Sequence, residues 1–66
     1  MIVESTFVGD AGNRHSFVYK VEYVLPYRVE FYQEEENIGY MYYVNLEDAE
    51  EAAQNFAFKG TPKRDE

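Results

Sequence analysis

From Phe17 to Phe31 every odd-numbered residue is apolar or aromatic: Phe17, Tyr19, Val21, Tyr23, Leu25, Tyr27, Val29 and Phe31. The even positions include Lys20, Glu22, Arg28 and Glu30. A period of two is the mark of a strand with one buried face. One straight strand of this length would span roughly 50 Å at about 3.3 Å per residue, too long for so small a domain. The chain must therefore fold back or bend sharply near Pro26. A fold-back with Val24-Leu25-Pro26 as the loop keeps the parity, pairing Tyr23 with Tyr27, Val21 with Val29 and Tyr19 with Phe31. It also sets Glu22 against Arg28 and Lys20 against Glu30, and such opposite-charge pairs help to choose a register. A sharply bent continuous strand is the alternative.

The second constraint comes from Ile38 to Gly60, an aromatic strand followed by a capped amphipathic helix. Asn45 is a favoured N-cap, with Asp48 at the third position after it. Glu47, Asp48, Glu50 and Glu51 crowd the half of the helix where its dipole favours negative charge. Lys59 and Gly60 supply the usual C-terminal chemistry. Leu46, Ala49, Ala53 and Phe56 share one helical face. Ile2 to Val8 is rich in β-formers and reads as a first strand. Residues 9–16, GDAGNRHS, read as a polar loop. Glu34-Glu35-Glu36-Asn37 reads as a four-residue hairpin loop, which opposes Phe31 to Tyr40, Val29 to Tyr42 and Tyr27 to Val44.

The expected fold is thus α+β: a four-stranded antiparallel β-meander with one C-terminal helix on one face, ββββα. Residues 1–60 form a single domain, and residues 61–66 are a polar tail. In this register the helix packs on Tyr19, Val21, Val29, Phe31, Tyr40 and Tyr42. The opposite face then shows Val18, Val24, Tyr32, Met41 and Tyr43, and Arg28 opposes Tyr43 in a cation–π contact. Val18, Arg28, Tyr32, Met41 and Tyr43 are accordingly the candidate partner-binding residues.

Charge and composition narrow the function. The net charge is −7, and residues 34–58 hold seven acids and no base. Such a surface opposes direct contact with nucleic acid phosphates but suits a basic protein surface. A chain of 66 residues without cysteine has a thin core and no disulfide or thiolate site to reinforce it. Seven Tyr and five Phe compensate with large area per residue. No cationic segment followed by an apolar run marks a secretory signal, and no apolar run reaches membrane-spanning length, so a cytoplasmic setting is expected.

His15, the sole histidine, reads as a turn residue without a nucleophile or second base spaced to work with it. Glu34 to Glu36 lack the alternating ligands and turning glycine of a calcium loop. No catalytic, cofactor or metal residue is assigned, and no enzymatic activity is expected. The expected role is a small acidic protein-interaction or regulatory module. It would bind a protein partner or a second copy through the uncovered sheet face or an edge strand. The alternative is an acidic mimic of nucleic acid that blocks a basic protein, as phage-type accessory proteins do.

Overall fold

A computed structural model of the protein describes residues 2–9 and 13–59. Four antiparallel strands form one sheet in the order β1-β2-β3-β4, with β1 at Ile2–Val8, β2 at Arg14–Lys20, β3 at Tyr27–Gln33 and β4 at Glu36–Tyr43. Helix α1, Leu46–Lys59, follows and lies across one face, chiefly over β2 and β3. The ββββα meander expected from the sequence is the observed fold. Gly60 and the tail expected at 61–66 lie outside the described residues.

The helix forms where the capping residues place it. The Asn45 carbonyl accepts the first helical hydrogen bond, from the Ala49 N–H at 3.2 Å. Ala49, Ala52, Ala53, Phe56 and Ala57 are buried, and Leu46 packs against the core from its margin. A helix face made of alanines brings its backbone close to the sheet, so the strand residues beneath must be small. Ser16 and Val18 meet that condition and are fully buried. The Ser16 hydroxyl donates to the Ala53 carbonyl at 2.8 Å, satisfying the one buried polar side chain among the described residues. Arg14 reaches along the same face, its Nε donating to the Phe56 carbonyl at 3.2 Å. Val29 and Phe31 of β3 complete the centre, with the Phe31 ring meeting Phe56 edge-on at 5.1 Å. Phe7, Tyr27 and Tyr43 pack around it.

The strand registers differ from the sequence expectation, and the difference turns strands over. Between β2 and β3 the observed partners are Val18↔Val29, Tyr19↔Arg28 and Lys20↔Tyr27. The connection is therefore residues 21–26 and not the tight loop Val24-Leu25-Pro26. It is closed by a hydrogen bond from the Val21 N–H to the Pro26 carbonyl at 2.8 Å. No glycine is present there to supply the left-handed residue of a tighter turn. An even-length connection puts the even residues of β2 on the same face as the odd residues of β3. Phe17 and Tyr19 consequently face away from the helix, and Val21 lies in the connection. Glu22 does not oppose Arg28; it too lies in the loop. Lys20 lies 5.6 Å from the centre of the Tyr27 ring and is not paired with Glu30.

The β3–β4 turn is also shorter than expected. Gln33 pairs with Glu36, so only Glu34 and Glu35 turn the chain, with φ of +53° and +68°. Two consecutive left-handed residues suit the type I′ geometry whose twist matches a hairpin. An irregularity between Phe31 and Tyr32 then shifts the register, giving Phe31↔Gly39, Glu30↔Tyr40, Val29↔Met41 and Arg28↔Tyr42. Tyr40 and Tyr42 thereby leave the helix face, and Gly39, Met41 and Tyr43 join it. Neither glutamate favours φ > 0, which costs roughly 1–2 kcal/mol per non-glycine residue. Replacing Glu34-Glu35 by Asn-Gly is expected to stabilise the fold by about 1 kcal/mol or more, read as a higher thermal midpoint.

The expected loop at 9–16 is shortened because β2 begins at Arg14. The Gly9 N–H donates to the Arg14 carbonyl at 2.9 Å. A Cβ on Gly9 would clash with the Ala57 carbonyl oxygen, so the chain needs glycine at this position, beneath the helix.

Candidate functional site

One helix covers one side of the sheet. The pairings place Val3, Thr6 and Val8 of β1 on the other side, with His15, Phe17 and Tyr19 of β2. Arg28, Glu30 and Tyr32 of β3 and Tyr40 and Tyr42 of β4 continue it. No other described element lies over this face. Strand alternation builds it: each inward Ser16, Val18, Val29 or Phe31 sends its neighbour outward.

The rings are in mutual contact. His15 and Tyr32 are direct cross-strand partners and stack in parallel, centroids 5.0 Å apart with 6° between planes. Phe17 meets both edge-on, at 5.4 Å from His15 and 5.5 Å from Tyr32, and touches Tyr19 at 6.0 Å. On the β4 side Tyr40 and Tyr42 form an edge-to-face pair at 5.8 Å. Tyr23, from the β2–β3 connection, leans on Tyr42 at 5.2 Å.

One ion pair joins the two aromatic groups. Arg28 Nε donates to Glu30 Oε2 at 2.8 Å. Its Nη1 donates to the Tyr42 hydroxyl at 2.7 Å, and its guanidinium lies 4.0 Å from the Tyr40 ring centre. The Tyr32 hydroxyl donates to the other Glu30 oxygen at 3.0 Å. A hydrogen-bonded chain thus runs Tyr42, Arg28, Glu30, Tyr32 across two strands. Burial works against the Arg28 charge, but the bonds to Glu30 and Tyr42 outweigh it and hold the group above its ordinary pKa. Burial first, and then the neighbouring Glu30 carboxylate, push the Tyr19 phenol upward.

The sequence-derived binding residues divide between the two sides. Arg28 and Tyr32 lie on the open face. Val18 does not: it is fully buried under the helix. Met41 and Tyr43 are on the helix side, where the Tyr43 hydroxyl points to the Met41 sulfur at 3.5 Å. The cation–π partners of Arg28 are Tyr40 and Tyr42, not Tyr43. Sequence reasoning missed Phe17, Tyr19, Tyr40 and Tyr42 because it assigned them to the core. His15 is a strand residue within the aromatic group, not a turn residue. The signal that finds those of β2 is size, since the β2 positions directly beneath the alanine face are Ser16 and Val18.

Among the described residues no group of three His, Cys, Asp or Glu side chains is placed to hold a metal ion. Among them, too, no helix is long and apolar enough to cross a membrane. Comparison with protein-family models, with curated proteins and with solved structures finds no match to this chain.

Proposed function

We propose that this chain is a small, non-enzymatic protein-interaction module and that the open sheet face is its contact surface. The observation that supports this reading is the connected aromatic face itself. Tyrosine and arginine are enriched at protein interfaces, where a ring offers apolar area and its hydroxyl a polar edge. Here they are fixed by ring contacts and by the Arg28–Glu30 pair, so little side-chain freedom remains to be lost on docking. The absence of cysteine is compatible with a reducing, cytoplasmic setting.

The test compares capture of cellular proteins on the immobilised chain with capture on two sets of variants. Thr6→Glu and Tyr40→Ser alter exposed positions of the open face; Glu47→Gln with Glu51→Gln alters exposed helix carboxylates. The interaction reading expects a partner lost with the first set and kept with the second. The reverse pattern would support the alternative, an acidic mimic of nucleic acid recognised through its carboxylates, and would overturn the open face as the contact surface.

A further inference from the structure

We infer that the occupant of the open face is a second copy of this chain, docked face to face as a two-sheet sandwich with one helix on each outer side. The inference rests on the reading of the open face as a protein contact surface. The distribution of charge singles out this occupant. The chain carries −7, yet on the open face Arg28 and Glu30 cancel one another at 2.8 Å. The remaining paired strand positions there are aromatic, apolar or neutral polar, apart from His15, and the one acid of β1, Glu4, is exposed at the register shift between Val3 and Ser5 on the edge strand. Most of the described acids lie elsewhere: Glu47, Asp48 and Glu51 are exposed on the helix, Glu34, Glu35 and Glu36 at the β3–β4 turn, and Glu22 in the β2–β3 connection. A basic partner would be drawn to those acids and not to the neutral rings. A neutral aromatic face suits another like itself, because ring edges pack well against ring faces.

The sandwich also separates the helix carboxylates of the two copies. Sheets pack about 10 Å apart and a helix is about 10 Å across, which sets the two helix axes roughly 30 Å apart. That is several times the screening length of about 8 Å at physiological salt. Like charges on the two helices then interact weakly. The helix carboxylates therefore add little salt dependence to the dimer, and what remains comes from Glu22, Glu34, Glu35 and Glu36 at the ends of the sheets.

Area sets the strength. Four strands at about 4.8 Å and seven residues at about 3.3 Å give a footprint near 440 Å² per copy, or about 900 Å² for the pair. This lies below the roughly 1,000 Å² that stable specific interfaces clear, in the range of weak, transient contacts, so the dimer is weak and reversible. A two-fold arrangement uses the same face on both copies and closes the assembly at two. The alanine-faced helix already covers the other side of each sheet. The second copy therefore adds the missing layer to a domain with little core of its own.

Sedimentation equilibrium of the full chain tests this, from about 5 to 500 μM, at the salt concentrations that separate the geometries. The expected result is a monomer–dimer equilibrium whose dissociation constant changes less than about threefold between 0.15 and 0.5 M salt. Thr6→Glu places a like charge on both faces and is expected to raise that constant by at least about tenfold. Tyr40→Ser, which adds no charge, should raise it as well, while Glu51→Gln should leave it within about twofold. Circular dichroism of each variant checks that the fold is retained. A strict monomer at 500 μM overturns the second copy as occupant. So does a dimer that Glu51→Gln alters and both open-face variants leave intact. Neither outcome decides the wider reading, which rests separately on whether the open-face variants lose a captured partner.

Discussion

Truncating Phe56 to alanine should abolish the folded state. The ring is 1% exposed and is among the largest fully buried side chains, set between the helix and Phe31 at 5.1 Å. Removing a buried phenylalanine side chain costs about 3–5 kcal/mol through lost transfer energy and the cavity left behind. A domain of this size rarely holds more than about 3–5 kcal/mol in all. The alanines around Phe56 cannot collapse into the gap, because their side chains end at Cβ. Far-UV circular dichroism of Phe56→Ala at 25 °C is expected to show a largely unfolded chain. Wild-type helicity with a cooperative melt near the wild-type midpoint would show that this ring does not hold the layers together.

Enlarging Ala53 should be nearly as damaging, for the opposite reason. Ala53 is fully buried, and its own carbonyl accepts the Ser16 hydroxyl at 2.8 Å, so helix and β2 are at closest approach there. A leucine would push the helix off the strand, strain neighbouring rotamers and break the Ser16 bond, leaving a buried hydroxyl without its acceptor. Overpacking costs typically about 1–3 kcal/mol, and the lost bond adds to it, for an expected total of about 3 kcal/mol. Chemical denaturation of Ala53→Leu measures this. The companion Ala53→Gly, which keeps the space open, should cost only about 1 kcal/mol from helix propensity. Equal losses in the two variants would mean that closeness at Ala53 is not what fixes the layer spacing.

These residues also show where the sequence was legible. The helix announces itself through Asn45, the acids after it, Lys59 and the Leu46, Ala49, Ala53, Phe56 stripe, and all four of those residues face the sheet. The number and order of strands follow from turn chemistry and β-formers. Which face of β2 is buried is less evident, because both faces are rich in apolar or aromatic residues. Phe17 and Tyr19 have the greater apolar area, and simple burial would choose them. The helix chooses Ser16 and Val18, because at β2 its alanines approach closely enough for the Ser16 hydroxyl to reach the Ala53 carbonyl. The error in β4 has a separate cause: a two-residue turn at Glu34-Glu35 demands left-handed glutamates, and the register shift between Phe31 and Tyr32 leaves no mark in composition. With two strands turned over, Tyr40, Tyr42, Phe17 and Tyr19 move from expected core to open face. Of the expected binding residues, Arg28 and Tyr32 remain there because β3 kept its parity.

The same geometry gives the open face its consequence. Rings that the fold does not bury under its own helix are packed against one another, and the Arg28–Glu30 pair joins the β3 and β4 rings. The most direct measurement is the nuclear magnetic resonance relaxation of assigned side chains by a soluble neutral paramagnetic agent, in dilute and in concentrated protein. In dilute solution the rings of Tyr19, Tyr32, Tyr40 and Tyr42 should be reached by the agent while Val18 and Phe56 are shielded. On raising the concentration those four rings should become shielded, with Glu47 and Glu51 on the helix still reached. Rings relaxed equally at both concentrations, with protection appearing on the helix instead, would contradict the account.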